Sequence, residues 1–340
     1  MSEKTITEIG EFGLIDRIEK MLPGFLHPDL VKGIGDDTAI IRWHNQRILL
    51  VTCDIQIENQ HFRRDYTTFQ QLGRRAMAVN MSDIAAMGGR PLFALISLGL
   101  PSTLTESQVT DLYVGMQALL EPWSAMIIGG NLSHSERDII IDITLIGDAD
   151  VDQYILRNGA KPGDSIWVSG CPGLSAAGFR TLQTNDSDIQ SEFRAAIEAH
   201  VEPSPRIELG QALATNNYAT SMIDISDGIA SDLNHICICS DVGALLNETT
   251  LPAPDVKDRI ESVLAVSWRQ LALHGGEDYE LLFTVPPSID DSEILRIANE
   301  CNIRVTRIGA ITLPKDRIFL KARSGVVETL TPSGWDHFKR

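Results

Sequence analysis

The spacing of apolar residues along the chain predicts a mixture of helices and strands. Residues 8–22 carry an apolar residue at every third or fourth position, which is typical of an amphipathic helix, and residues 69–87 and 106–120 show the same period. Strands and helices are mixed rather than strictly alternating, which favours an α+β layer over a doubly wound parallel sheet. Short apolar or alternating runs predict strands at residues 38–43, 47–52, 92–100, 125–128, 139–145, 166–169, 221–225, 281–285 and 305–311.

For three of these predicted elements the sequence also indicates where the element ends or which residue it buries. The strand at residues 47–52 is expected to end at Asp54, and Thr103 with Glu106 has the spelling of a capping box at the start of a helix. In the helix at residues 69–87 the apolar stripe includes Asp83, which would place a carboxylate on the buried face. The alternative is that Ser82 or Asp83 caps a new helix after a break.

Chain length and one turn-rich stretch predict two domains. A chain of 340 residues exceeds the size at which a single core usually stops growing. The turn-rich stretch at residues 158–164 marks the change between the two halves. We expect an N-terminal domain at residues 1–150 and a C-terminal domain at residues 151–340.

Composition and charge narrow the classes of partner. The net charge of −17 argues against nucleic acid or an anionic membrane as a partner. The five cysteines have no zinc-binding spacing, so reduced thiols are expected. The sequence begins without a signal-peptide core, and no apolar run approaches the length of a membrane span. These features predict a soluble, cytoplasmic protein.

Five short acidic motifs follow apolar runs in distant parts of the chain. Carboxylates that converge in a cleft repel each other and resist desolvation unless a cation joins them. Mg²⁺ prefers oxygen ligands and binds between carboxylates and substrate phosphates, so the motifs predict a magnesium–phosphate enzyme. The glycine-rich loop at residues 170–178 is a weak phosphate-site signal, and no P-loop or protein-kinase motif set is present. The motifs lie at residues 33–37, 52–54, 80–83, 224–228 and 275–278.

Nine strings in order resemble the thiamine-monophosphate kinase family from about residue 9 to residue 338. Among them are Gly-Ile-Gly-Asp-Asp at 33–37, Ala-Val-Asn-Met-Ser-Asp-Ile-Ala-Ala-Met-Gly at 78–88, Asp-Ile-Ser-Asp-Gly at 224–228 and Gly-Gly-Glu-Asp-Tyr-Glu at 275–280. Each string alone is weak evidence for the resemblance, whereas nine strings in the same order are strong evidence. The other strings are Asp54 with His61-Phe62, 128–130, 159–164, 202–206 and 335–338.

The resemblance implies a fold, a reaction and an assembly. The N-terminal domain would carry a mixed sheet that forms a barrel across a homodimer, and the C-terminal domain would be an α/β sandwich that completes the nucleotide and substrate cleft. The reaction implied is Mg²⁺-dependent transfer of the γ-phosphoryl group of ATP to thiamine monophosphate, giving thiamine diphosphate. Positioning and charge neutralisation would carry the catalysis, because the attacking phosphate oxygen is already anionic.

The resemblance also implies roles for individual residues. Asp54 and Asp83 are the expected catalytic carboxylates. The expected metal ligands are Asp37, Thr52, Cys53 (through its backbone carbonyl), Asp54, Asp83, Asn131, Asp224 and Asp227. The expected nucleotide contacts are Tyr113, Gly129, Gly130, Asn131, Arg157 and Ser226. The expected contacts with thiamine phosphate are His61, Glu277 and Trp335.

Four positions depart from the family pattern and leave alternatives open. Asn131 stands where the family usually has Asp and lacks its charge; Cys53, Ile55 and Leu174 also differ. One alternative is a catalytically weakened paralogue that binds nucleotide or thiamine phosphate without turnover. Another is a related ATP-dependent enzyme that activates a different small substrate, such as formylglycinamidine ribonucleotide or selenide.

The apolar strand at residues 94–98 gives an independent reason to expect a homodimer. A strand so uniformly apolar needs cover on both faces, and one domain of this size would not supply all of it. The alternative is that two helices of its own domain bury it.

Overall fold

The computed structural model describes residues 6–21, 28–184, 186–313 and 317–332. Short 3₁₀ turns follow the fourth helix and the ninth strand. The helices are α1 Ile6–Ile9, α2 Glu11–Met21, α3 Phe69–Ala86, α4 Glu106–Leu120, α5 Leu174–Leu182, α6 Ser187–Glu192, α7 Arg194–Val201, α8 Ile207–Thr215, α9 Ile229–Ser240, α10 Lys257–Leu264, α11 Trp268–His274 and α12 Asp291–Glu300. The strands are β1 Leu30–Lys32, β2 Ala39–Arg42, β3 Arg47–Ile57, β4 Arg90–Leu100, β5 Met126–His134, β6 Ile140–Asp150, β7 Ser165–Ser169, β8 Ser221–Asp224, β9 Gly243–Asn247, β10 Leu281–Val285, β11 Val305–Thr312, β12 Ile318–Lys321 and β13 Val327–Leu330.

The first half of the chain forms a mixed six-stranded sheet in the order β1-β2-β3-β6-β4-β5. Its pairs are antiparallel except for the parallel pair of β4 with the edge strand β5. On one face, the inner face, apolar side chains such as Ala94, Ile96 and Ile143 are buried against α3 and α4. The mixture of strand directions confirms the predicted α+β class.

The other face of this sheet, the outer face, is open in the single chain. Phe93 and Leu95 of β4 alternate with buried neighbours and are partly exposed, as is Ile55 of β3. On the edge strand the exposed fractions reach 59% at Met126 and 65% at Leu132. The alternative in which two helices of the same domain cover both faces of β4 is therefore wrong.

Helix α3 runs without a break from Phe69 to Ala86 and carries Asp83 in its last turn. Its N-terminus is closed by a capping box of Thr68 and Gln71, which satisfies backbone groups at the first turn. Because the helix continues through Ser82 and Asp83, the alternative of a new helix capped there is wrong. Asp83 lies on a helix of which most side chains are buried.

The second half forms a seven-stranded sheet in the order β13-β12-β9-β11-β7-β10-β8. Four of the five residues of strand β10 are apolar, and its position in the fold explains why. Leu282 packs into a cluster with α9, whereas Leu281 and Phe283 pack into the core that includes α3. Both faces of this strand are buried, so the alternation of polar and apolar positions disappears.

A continuous apolar core joins the two halves. Met77 and Ile84 of α3 belong to the same buried cluster as Leu213 of α8 and Met222 of β8. At one crossing a Cβ atom on Gly210 would lie 2.1 Å from the carbonyl oxygen of Ala85, so only glycine permits this approach of α8 to α3. Helix α3 is thus shared by the two sheets.

Several sequence-based expectations for element ends need correction. Strand β3 continues past Asp54 to Ile57, because its pairing with β6 extends along its whole length. The capping box of α4 is formed by Thr105 and Gln108 rather than Thr103 and Glu106. The predicted first helix is divided at Gly10, which has a φ of 76°.

Candidate functional site

Three carboxylates from distant elements meet between the two sheets. Asp37 precedes β2, Asp83 lies near the end of α3, and Asp224 is the last residue of β8. One oxygen atom from each lies within 4.8 Å of the others. The strand end and the buried helix face hold these groups in place, since their neighbours in both elements are packed in the core.

Two residues of β3 extend this cluster, the carboxylate cluster, on the inner face of the first sheet. Asp54 and Thr52 lie on that face, because Asp54 pairs with Ile143, whose side chain is fully buried there. The hydroxyl of Thr52 donates a hydrogen bond to Asp83. The backbone N–H of Asp54 donates to the side-chain oxygen of Asn80 at 3.1 Å, which ties β3 to α3.

Burial and mutual repulsion raise the pKa values in the cluster. Burial raises the pKa of Asp224 to about 7, and repulsion by Asp37 adds to the effect. Burial first, and then the charges of Asp54 and Asp224, place the pKa of Asp83 well above its ordinary value. Burial also raises the pKa of Asp54. Crowded, desolvated carboxylates of this kind are stabilised in the charged form by a cation.

The donor set fits a hard divalent cation. Among the described residues, Oδ2 of Asp37 is buried and has no hydrogen-bond partner. Such an orphaned acceptor is costly unless a ligand satisfies it. Oδ2 of Asp224 accepts a hydrogen bond from the hydroxyl of Ser82 at 2.7 Å, which orients that carboxylate. Oxygen-only ligands of this type suit Mg²⁺.

Arg157 lies against the same cluster. Its Nη2 and Nε atoms donate to Oδ1 of Asp37 at 2.5 and 3.2 Å. Its backbone N–H donates to Asp36 at 3.2 Å. Burial lowers the pKa of Arg157, but the neighbouring carboxylates outweigh burial and raise this pKa above its ordinary value, so the guanidinium remains charged.

The loop that follows Asp224 packs tightly against the loop at residues 275–279. The backbone N–H of Glu277 donates to the carbonyl oxygen of Ser226 at 2.7 Å, and a Cβ atom on Gly276 would lie 2.4 Å from that oxygen. Oδ2 of Asp232 accepts from the backbone N–H groups of Asp227 and Gly228 at 3.2 and 3.0 Å. This pairing fixes the positions of Ser226 and Asp227 at the start of α9.

Glu277 is partly exposed and is held by a buried arginine. Arg75 is almost fully buried and donates hydrogen bonds to Glu277 and to the backbone oxygen of His200. Nδ1 of His200 lies 3.6 Å from the second oxygen of Glu277, and burial places the pKa of His200 well below its ordinary value. Glu277 also has a φ of 65°, a strained conformation that is common at functional sites.

The remaining predicted site residues lie elsewhere. The Cys53 thiol faces the outer face of the first sheet, where it donates to Asp142 at 3.2 Å. Asn131 is exposed on β5 and lies on the same face, through the pairs of Ser97 with Asn131 and with Asp142. Thus the single chain does not bring the Asn131 side chain to the cluster.

The predicted site residues not yet placed are Gly129, Gly130, Tyr113, His61 and Trp335. Of these, Trp335 lies outside the described residues. Gly129 and Gly130 lie within β5, and a Cβ on Gly130 would lie 1.9 Å from the oxygen of Ile96, so β-strand packing alone requires this glycine. Tyr113 is half-buried on α4. Nδ1 of His61 accepts a hydrogen bond from the backbone N–H of Ile57 at 2.9 Å.

The structure also shows site residues that sequence reasoning missed. Burial raises the pKa of Asp36 to about 6, with help from the charge of Asp37. Asp36, Ser82 and Asp232 all lie inside the acidic motifs or next to them, and their polar side chains beside acidic residues were a usable signal. Arg75 was signalled only by its position in a helix of buried residues.

Comparison with known protein families identifies the class of proteins to which this chain belongs. Residues 35–149 match the family described as "AIR synthase related protein, N-terminal domain", and residues 161–321 match "AIR synthase related protein, C-terminal domain". The solved structure described as "Crystal Structure of Hydrogenase Maturation Protein HypE in complex with ATP" has a TM-score of 0.66 at 18% identity, over 93% of this chain and 94% of that one, which shows a shared fold.

More similar proteins define the family within this class. The chain is 35% identical to thiamine-monophosphate kinase of Bacillus subtilis over 95% of this chain and 99% of that protein. It is 36% identical to the enzyme of Escherichia coli K12, with coverage of 97% and 98%. A solved structure described as "AaThiL complexed with AMPPCP and TMP" has a TM-score of 0.86 at 34% identity, over 99% and 100% of the two chains. The chain belongs to the thiamine-monophosphate kinase family.

Proposed function

We propose that this protein transfers the γ-phosphoryl group of ATP to the phosphate of thiamine monophosphate, giving thiamine diphosphate and ADP. The observation that carries the proposal is the convergence of Asp37, Asp83 and Asp224 with Arg157 between the two sheets. The similarity to kinases of this activity, one of them described with AMPPCP and TMP, supports the same substrates.

The chain's own residues would hold the reactants rather than exchange protons with them. The acceptor is an anionic phosphate oxygen, so no general base is needed. Asp37, Asp83 and Asp224 would hold Mg²⁺, with Thr52 and Asp54 beside them on β3. When bound, the metal would neutralise the charge on the phosphates. The remaining ligands that the family resemblance implies are Cys53 through its carbonyl, Asn131 and Asp227.

Arg157 and the paired loops would orient the two substrates. Arg157 would face the phosphates of the nucleotide, and Ser226 would contact it through the loop that Asp232 closes. Glu277, held by Arg75, would accept from the amino group of the pyrimidine or face the cationic thiazolium. The resemblance adds Tyr113, Gly129, Gly130 and Asn131 to the nucleotide side, and His61 and Trp335 to the thiamine side.

A direct assay tests this function. Incubation of the protein with ATP, Mg²⁺ and thiamine monophosphate should yield thiamine diphosphate and ADP in equal amounts, measured by chromatography. Omission of Mg²⁺ should abolish the product, because the carboxylate cluster would then lack the cation that neutralises the phosphates. A protein with a native circular dichroism spectrum that forms no product at high concentration would refute the proposal.

The open outer face of the first sheet supports a homodimer. Phe93, Leu95, Met126 and Leu132 expose apolar surface there, and contiguous apolar surface of this kind marks protein interfaces. Two such sheets facing each other would form the barrel that the family resemblance implies. Light scattering should give twice the mass of the 37.4 kDa chain. A monomer at micromolar concentration with full activity would remove the dimer from the mechanism.

Asn131 motivates a second candidate, a paralogue that binds its ligands without turnover. Its exposed amide replaces the carboxylate that the family usually carries. In that case calorimetry should detect binding of ATP or thiamine monophosphate, no product should form, and Asn131→Asp should raise activity strongly. Full activity of the unmodified protein would exclude this candidate.

We also propose a cellular location for the protein and a role for each of its two predicted domains. In the part of the chain that the structure describes, no helix is long and apolar enough to cross a membrane. A cytoplasmic location is supported by the five cysteines, since the described part of the chain contains no disulfide. We assign metal binding, part of the nucleotide site and dimerisation to residues 1–150, and completion of the cleft to residues 151–340. The net charge of −17 supports the absence of nucleic-acid and membrane partners.

A further inference from the structure

The ion pair between Arg157 and Asp37 occupies one of the proposed metal ligands. Two nitrogen atoms of the guanidinium converge on the single oxygen Oδ1 of Asp37, at 2.5 and 3.2 Å. The other oxygen, Oδ2, is buried without a hydrogen-bond partner among the described residues. One carboxylate thus has a cation on one oxygen and an unsatisfied acceptor on the other.

Hydrogen bonds hold the backbone of Arg157, whereas its side chain is partly exposed. The backbone N–H donates to Asp36 at 3.2 Å, and the carbonyl oxygen accepts from the hydroxyl of Ser240 at 3.3 Å. The side chain retains 22% exposure, whereas that of Asp37 has none. A long side chain on an anchored backbone can change its partner by rotation about its own bonds.

The charges around Asp37 favour such an exchange. Asp36, Asp54, Asp83 and Asp224 interact electrostatically with one another or with Asp37. The positive charge of Arg157 neutralises part of this negative charge. A divalent cation between Asp37, Asp83 and Asp224 would take over this neutralisation. Two cations on one carboxylate repel each other, so the guanidinium would lose its partner there.

We propose that Arg157 is an exchangeable counter-ion that pairs with Asp37 in the ligand-free protein and moves to the nucleotide phosphates when a divalent cation takes up Asp37. This inference rests on the proposed function. It adds that one residue, Arg157, couples the binding of the metal to the binding of the nucleotide. Binding of the metal alone is opposed by the guanidinium. Nucleotide phosphates relieve that opposition, and each ligand then increases the affinity for the other by the same factor.

Metal binding without nucleotide tests the first half of the proposal. Isothermal calorimetry with Mg²⁺ alone should show that Arg157→Gln binds the metal about tenfold more tightly than the unmodified protein, since a competing positive charge is removed. If Arg157 instead holds Asp37 in place for the metal, the same variant should bind Mg²⁺ more weakly. Unchanged or weaker binding therefore overturns the proposal.

The chain offers a matched control in Arg47. Its side chain is 24% exposed and pairs with Asp148, which is buried like Asp37, but at the far end of β3. Arg47→Gln removes the same charge at a similar depth and should leave Mg²⁺ affinity unchanged. Arg157→Lys keeps the charge but loses the contact through two nitrogen atoms, so its gain in Mg²⁺ affinity should be smaller than that of Arg157→Gln. An equal gain in Arg47→Gln would show that only the net charge matters, and would overturn the proposal.

Anion binding tests the second half. At saturating Mg²⁺ and without thiamine monophosphate, Arg157→Gln should bind ATP at least about tenfold more weakly, whereas Arg47→Gln should not. In the unmodified protein, saturating inorganic phosphate should tighten Mg²⁺ binding about fivefold, a result that needs no variant to fold. If Arg157→Gln does not lose ATP affinity and phosphate does not tighten Mg²⁺ binding, the proposed change of partner by Arg157 is overturned. All these measurements are independent of turnover, so a failed kinase assay would refute the proposed function without deciding this inference.

Discussion

Replacing Asp224 with asparagine should stabilise the metal-free protein while reducing its activity. Asp224 is only 4% exposed, and its pKa rises from 3.8 to about 7. At about 1.4 kcal/mol per pKa unit, this shift corresponds to roughly 4 kcal/mol of strain in the ionised form. Because Asp37 and Asp54 share the repulsion, we expect Asp224→Asn to raise the free energy of unfolding by about 1–3 kcal/mol above pH 7. Asparagine can still accept the hydrogen bond from Ser82.

The raised pKa of Asp224 also determines the direction in which the stability of the protein changes with pH. Between 3.8 and about 7 the native protein keeps the proton of Asp224 and the unfolded chain releases it. The native state therefore binds more protons, and stability falls as pH rises across this window. Asp224→Asn should flatten this part of the curve.

Urea unfolding followed by circular dichroism, in a chelator and from about pH 4 to pH 8, measures the effect. Mg²⁺ should stabilise the unmodified protein more than the variant, since the variant lacks one ligand charge. Asp290→Asn, at an exposed helix cap, is the control for loss of a carboxylate outside the cluster. If Asp224→Asn is less stable than the unmodified protein at pH 8, Asp224 is held by net favourable contacts and the reasoning is refuted.

Four other substitutions test the remaining parts of the site and the open sheet face. Asp54→Asn and Asp83→Asn should each lower turnover roughly 10²-fold without loss of fold; unchanged turnover and Mg²⁺ dependence in Asp83→Asn would leave Asp83 a structural residue. Glu277→Gln should raise the KM for thiamine monophosphate more than that for ATP, and an equal rise in both would contradict a thiamine-side role. Leu95→Lys, on the open face of the first sheet, should yield a monomer in light scattering, whereas Leu295→Lys, exposed on α12, should not.

Local patterns in the sequence were enough to predict part of the site. Asp224 lies in a short predicted apolar strand, and Asp83 falls on the apolar stripe of α3, so the buried position of Asp83 could be inferred from spacing. The motif resemblance then joined Asp37 and Asp54 to the same centre, and the structure places these residues together.

The parts that could not be predicted depend on contacts between distant segments. Arg75 and Glu277 are separated by 202 residues, and only the packing of α3 against the second sheet brings them together. The parallel pairing of β12 with β9 likewise has no local signal. Even at short range, two threonines competed to cap α4, and Thr105 rather than Thr103 is the cap because Gln108 completes its box.

The apolar core that α3 shares with both sheets has a consequence for how the protein comes apart. Since Met77 and Ile84 pack with residues of α8 and β8, separating the halves would expose interior surface on each. Calorimetry should therefore record one melting transition, with equal van't Hoff and calorimetric enthalpies, rather than two. Neither half produced alone would have a complete interior, so a gene split between β6 and β7 should give insoluble fragments unless both are synthesised together.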